Sequence, residues 1–205
     1  MKKYSTLYLN NFSSICSDSE FKWGDKNCDI DSFFESLVKF TSKLNDKSKI
    51  FFYGNGASHS FAEHMSLDWS KNGKISSISL SNNALLTALS NDYSYEESYT
   101  EHLKMNYNEG DFVVTISSSG NSPNIKKIIE HCNKNGIYLL SLSGLKQTNF
   151  SKVNSSNYIF VPAKTYGFVE CAHQLFLHLW LDKFMNILEW ERDDEQNMDN
   201  TNFNL

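Results

Sequence analysis

Asp111-Phe112-Val113-Val114-Thr115-Ile116-Ser117-Ser118-Ser119-Gly120-Asn121-Ser122-Pro123 is the stretch on which the fold turns. Its first half is a continuous run of apolar and β-branched residues, the pattern of a strand buried on both faces. Its second half changes abruptly to four hydroxyls, an Asn and a Gly, and Pro123 falls where a helix takes its first residue. A strand that passes through a small polar loop into a helix is one βα unit of a parallel sheet. The loop gathers hydroxyls beside the free N–H groups of a helix start, a donor set suited to phosphate that needs no cation. The plainer reading is an ordinary loop with a capping Ser, but a cap needs one hydroxyl where four stand.

Working outward, residues 49–53, 74–80, 137–143 and 158–162 form four further short apolar runs, each expected to be a strand. Helix-like stretches lie between and around them, at 58–72, 83–89, 96–105, 123–135 and 145–152. Before the first run, Ile30, Phe33, Phe34, Leu37, Phe40 and Leu44 keep a helical period over residues 29–44. A final helix at 167–188 is apolar nearly all round, which predicts burial against the sheet or a second subunit. The alternation predicts an α/β fold whose parallel sheet is covered on both faces. One domain is expected over residues 1–190, with 1–28 an N-terminal extension, 29–190 the core and the polar stretch 191–205 a frayed tail. Phe12, Phe21 and Trp23 in the extension suggest packing on a neighbouring subunit.

Composition narrows the function classes. A chain of 205 residues suits one domain with a sizeable core. Its 40% apolar and 14% aromatic content is that of a globular protein. The net charge of -5, without a basic cluster, argues against a nucleic-acid or anionic-membrane surface. An anionic ligand must then be held by a local pocket. Cys16, Cys28, Cys132 and Cys171 show no CxxC spacing, as expected of reduced thiols in a cytoplasmic protein. No run reaches the ~18 apolar residues of a membrane span, and the first residues lack a signal-peptide pattern.

A second loop, Gly54-Asn55-Gly56-Ala57-Ser58-His59, leaves the strand at 49–53 and enters a helix. Its small residues let the backbone approach a ligand. It is not a dinucleotide fingerprint: His59 stands where the third Gly belongs, and Leu80-Ser81-Asn82 supplies no acidic ribose partner. No GK[ST] is present for a phosphate-binding P-loop. Two helices carry titratable rows. His64 and Asp68 are four apart, a spacing that also suits a plain solvated ion pair. Glu170, Gln174 and His178 make a polar row on the apolar last helix, where an unpaired carboxylate is costly. His173 points some 140° away from His178, given ~100° per residue, so the two are not expected to share a site. His64, Asp68, Glu170 and His178 together are two His and two carboxylates, a set able to make a tetrahedral zinc site.

The order of these pieces resembles one family. The loop 54–58, His64 and Asp68, Asn91-Asp92, the loop 117–122 and the row from Glu170 to His178 are similar to the phosphoheptose isomerases of the sugar-isomerase (SIS) domain family. The resemblance spans residues 30–188. It implies a three-layer sandwich with a five-stranded parallel sheet of flavodoxin-like order and long N- and C-terminal helices. It also implies a homotetramer with sites between subunits, and conversion of sedoheptulose 7-phosphate to a heptose 7-phosphate. By position, Ser117, Ser118, Ser119 and Ser122 would hold the phosphate. Asn55, Gly56, Ala57, Ser58, Asn91, Asp92 and Glu170 would line the substrate. Asp68 and His178 would be the acid–base pair, and His64, Asp68, Glu170 and His178 would take Zn2+ as some members do. Four positions depart from the pattern: Asp68 replaces Glu, Glu170 replaces Gln, Ala57 replaces Gly, and Gly167 replaces an acidic residue. The expected function is therefore a ketose–aldose isomerase, and the alternative is a non-catalytic phosphosugar-binding module.

Overall fold

The computed structural model describes residues 3–191. Of the tail at 191–205, only Glu191 falls among them, so the expectation of a frayed end lies outside the described residues. The five apolar runs become β3 (Ile50–Gly54), β4 (Ser77–Ser79), β5 (Phe112–Ser117), β6 (Tyr138–Gly144) and β7 (Tyr158–Val161). All four pairings among them are parallel, in the order β4-β3-β5-β6-β7. The strand at 74–80 is shorter than its sequence suggests, because Lys74 adopts a left-handed φ of 58° that the pleat does not admit. β4 is an edge strand, and three residue pairs with β3 are all it makes.

The sheet has seven strands, not the five expected. The added pair comes from the N-terminal extension: β1 (Glu20–Trp23) and β2 (Lys26–Cys28) form a hairpin, and β1 runs antiparallel to β7. Gly24 and Asp25 make the two-residue turn, with Gly24 at a φ of 61° that suits such a hairpin. The hairpin covers the β7 edge, which would otherwise present unpaired backbone groups. Ahead of it lies the first helix, α1 (Tyr4–Ser17). Phe12, Phe21 and Trp23 of the extension pack on its own chain. Phe21 is buried against Phe33, Phe34 and Phe176, Trp23 meets Phe33 and Phe40 edge-on, and Phe12 sits against Phe168.

Strand alternation sorts the core into two layers. Phe52, Val114, Ile116, Leu140 and Leu142 face α2 (Ile30–Thr41), α3 (Ala57–Lys71) and α8 (Tyr166–Met185). Phe51, Tyr53, Val113 and Leu139 face the other way, towards α4 (Asn83–Asp92), α5 (Ser98–Asn106) and α6 (Pro123–Asn135). A short helix, α7 (Phe150–Asn154), starts later than the 145–152 reading, because Asn149 caps it by accepting from the Lys152 N–H. On α8, Val169, Ala172, Phe176 and Trp180 are buried, and the Trp180 indole N–H donates to Thr41 Oγ1 at 3.1 Å. The expected burial of the last helix is thus met within the chain. No helix among the described residues is long and apolar enough to cross a membrane.

His173 lies on the same buried face of α8, fully enclosed, and its Nε2–H donates to the Ser143 carbonyl at 3.1 Å. Burial pushes its pKa down to about 4. The neutral ring is thus the folded form, while the unfolded chain takes up a proton near 6.5. Stability is fully present above pH 6.5 and is lost as pH falls towards 4, by about 3 kcal/mol from this group. We expect urea unfolding followed between pH 7.5 and 4.5 to show this decline. A His173→Gln variant should show a flatter profile; an unchanged slope would refute the assignment.

Candidate functional site

The two loops meet because β3 and β5 are neighbours and the chain winds outward from them in opposite directions, the switch point where open parallel sheets bind ligands. Gly54 is demanded by packing: a Cβ there would overlap the Ser58 backbone, which turns back over the strand end. Gly56, at a φ of 56°, then opens α3. On the other loop Gly120 has a φ of 62°, and an added Cβ would collide with Asn149 Oδ1. Ser151 donates to the Gly120 carbonyl from both its N–H (3.0 Å) and its hydroxyl (3.1 Å), so α7 pins the loop from behind.

Between the loops is a cleft of about 160 Å³ lined by Asn55, Ser58, Ser117, Ser118, Ser119 and Ser122, with Tyr166 and Glu170 contributed by α8. Ser118 Oγ is buried without a protein partner, and an unpaired buried hydroxyl costs about 1–3 kcal/mol. A ligand oxygen would remove that penalty. Ser122 occupies the N-cap of α6 yet makes no capping bond, so its hydroxyl also remains available. Ser122 thus holds the capping position without using its hydroxyl to cap. The hydroxyls and helix starts make a phosphate-sized receptacle.

Below the cleft, His64 and Asp68 on α3 meet His178 on α8. His64 Nε2 is 3.1 Å from Asp68 Oδ2, the His64 and His178 ring centroids are 5.2 Å apart, and one donor atom from each of the three lies within 4.8 Å of the others. Gln174 Nε2 reaches His178 Nε2 at 2.8 Å. The 3.1 Å spacing suits two ligands on one tetrahedral zinc, whose ~2.0–2.1 Å bonds imply edges of about 3.3 Å. Three N and O donors match the protein ligand count of a catalytic zinc, so these residues fit the ion. Glu170 is not in this group. It stands eight residues before His178, about 12 Å along the helix axis, and faces the serine cleft. Asn91 and Asp92 are also apart, exposed at the end of α4 and hydrogen-bonded to each other at 3.0 Å. Gly56 and Ala57 are exposed at the start of α3 and do not line the cleft.

A model described as the SIS domain matches residues 34–144, from within α2 to the end of β6. The chain belongs to the SIS-domain family. It is 34% identical to the phosphoheptose isomerase of Helicobacter pylori (strain P12), over 72% of this chain and 80% of that one. With the phosphoheptose isomerase of Aneurinibacillus thermoaerophilus it shares 32% identity, over 64% and 69%. Solved phosphoheptose isomerases from Neisseria gonorrhoeae and Francisella tularensis have the same fold. Their TM-scores are 0.69 and 0.70 at 18% identity, covering 89% and 91% of this chain and 98% and 99% of theirs. Kinship at this level makes the SIS-domain chain an isomerase by class.

The structure adds residues to this SIS-domain site that its motifs do not reveal. Tyr166 closes one side of the cleft. Tyr95 and Asn124 hold Asn55 Oδ1 at 2.8 and 2.9 Å, and Tyr99 lies 3.2 Å from it while donating to the Gly54 carbonyl. Of these, only Asn124 had a sequence signal, its place beside the loop at 117–122.

Proposed function

We propose that this protein interconverts the ketose and aldose forms of a sugar phosphate, with sedoheptulose 7-phosphate as substrate and a heptose 7-phosphate as product. The observation that carries the proposal is the convergence of His64, Asp68 and His178 within 4.8 Å, on the helices that border a hydroxyl-lined cleft. A pure binding module has no need of such a group. Ser117, Ser118, Ser119 and Ser122 take the phosphate, Asn55 and Ser58 the adjoining oxygens, and the sugar chain extends towards α3. Aldose–ketose exchange moves one proton from C1 to C2 and another between the two oxygens, through an enediol. Asp68 takes and returns the carbon proton. Its Oδ2 is engaged by His64, while Oδ1 has a long 3.5 Å contact from the Asn72 amide. His178 gives a proton to O2 and removes one from O1. Zinc held by His64, Asp68 and His178 would supply Lewis-acid polarisation of the carbonyl.

We read the working form as a tetramer with its sites between subunits, in the cytoplasm. Leu67 and Leu175, exposed on the two helices that bear the trio, support a covering copy of the chain, and the four free cysteines suit that compartment.

The deciding experiment supplies sedoheptulose 7-phosphate with and without added zinc, beside metal analysis of protein purified without chelator and its mass by light scattering. We expect an aldoheptose 7-phosphate, zinc at about one per chain and a mass four times that of the chain. No turnover by a folded protein that binds phosphate would overturn the isomerase in favour of a non-catalytic binder.

A further inference from the structure

Asn55 and Asn124 face each other across the switch point in a reciprocal amide pair. Asn55 Nδ2 donates to Asn124 Oδ1 at 2.9 Å, and Asn124 Nδ2 donates to Asn55 Oδ1 at 2.9 Å. An amide pair can in principle be written either way round, since each amide carries donors at one end and an acceptor at the other. Here the backbone decides. Asn124 Oδ1 also accepts from the Ile125 N–H at 3.0 Å, which only an oxygen can do. That bond fixes the Asn124 amide, and the Asn124 N–H group then fixes Asn55 with its oxygen inward. Tyr95 OH, at 2.8 Å, fills the second acceptor position on that oxygen. Asn124 is 1% exposed, so water is no competitor for its end of the pair.

We infer that Asn124 is a positioning residue that makes Asn55 a hydrogen-bond donor, and only a donor, towards the ligand. With both lone pairs of its oxygen occupied and one N–H given to Asn124, Asn55 has a single N–H left for the cleft that it lines. The ligand atom at this position is therefore an acceptor, a phosphate, carbonyl or hydroxyl oxygen whose lone pair faces Asn55. A ligand ammonium at the same place has no lone pair to offer and is rejected. This deepens the sugar-phosphate reading of the same cleft and rests on it.

The test is a double-mutant cycle of Asn124→Asp and Asn55→Ala, read from the Kd of sedoheptulose 7-phosphate by calorimetry. The carboxylate of Asn124→Asp keeps an acceptor for the Ile125 N–H but has no N–H to hold the Asn55 oxygen, so the Asn55 amide is freed to turn. We expect Asn124→Asp to weaken binding about tenfold or more, the weight of a hydrogen bond to a charged group. Placed on Asn55→Ala and measured at high ionic strength, where repulsion between the new carboxylate and the ligand phosphate is screened, it should add almost nothing, because its hydrogen-bonding effect acts through Asn55. Additive effects, or an unchanged Kd in the single variant, would overturn the proposal. In the parent, binding without turnover refutes the isomerase reading and leaves the cycle readable. Should the parent bind inorganic phosphate alone, the cycle is read from that Kd. A parent that binds neither refutes both readings.

Discussion

Replacing Asp68 with Ala removes the proposed base, and turnover is expected to fall by about 10³-fold or more, within the range that a positioned acid–base group supplies. The variant should fold normally. Asp68 is on the rim of α3, its partner His64 is largely exposed, and the buried face of that helix is made by Ala62, Met65 and Trp69. The informative readout is exchange of the carbon-bound hydrogen with deuterium from solvent, which depends on the base and not on the oxygen-to-oxygen shuttle. Asp68→Ala should lose exchange and turnover together, while His178→Gln should lose turnover more than exchange. Full exchange in Asp68→Ala would move the base elsewhere, and Glu170 in the cleft would be the next candidate. The variant Asp68→Glu, one methylene longer, should retain measurable activity because the carboxylate is kept.

The second large effect belongs to Gly120. An Ala here must adopt a left-handed φ, which costs about 1 kcal/mol. Its Cβ also drives Asn149 from the α7 cap, a loss of about 1–2 kcal/mol. Together these predict a fall in Tm of about 4–12 °C for a chain of this size, with loss of phosphate binding as the loop shifts. Gly136 is the control. Its φ of 64° is the same, but it caps the end of α6 with nothing within 4 Å of an added Cβ. Gly136→Ala should lower Tm by only about 2–4 °C and leave phosphate binding intact. Equal shifts in the two variants would show that backbone conformation alone matters at Gly120, and that the Asn149 contact does not.

Four of the parallel strands, β3, β5, β6 and β7, could be read from the sequence because they are buried on both faces and so are written as largely apolar runs. The edge strand β4 is part-buried and polar at both ends. The hairpin β1–β2 could not be read that way. Glu20, Lys22 and Lys26 break up its pattern, and only Phe21 is buried. Its one signal was local, the Gly24-Asp25 pair between two short extended segments. At the site, the loops at 54–58 and 117–122 were legible because small and hydroxylated residues cluster along the chain. Glu170 was expected with His64, Asp68 and His178 on spacing alone. The three others converge, while the Glu170 side chain lines the serine cleft two turns away, a rotamer choice that spacing does not announce. The clamp on Asn55 draws on residues 55, 95, 99 and 124, and no local pattern announces contacts between segments so far apart in the chain.

Because Glu20 pairs with Phe160 and Lys22 with Tyr158, the hairpin's place in the sheet does not exist until β7 has been made. On a ribosome adding ~5–20 residues per second, about 140 residues must follow Phe21 before Ile159 can receive it, a wait of roughly 7–28 s. The first segment synthesised is among the last to dock. During that interval the β1 backbone lacks its β7 partner, and Phe33, Phe34 and Phe40, synthesised soon after it, are the rings at hand to cover Phe21 and Trp23.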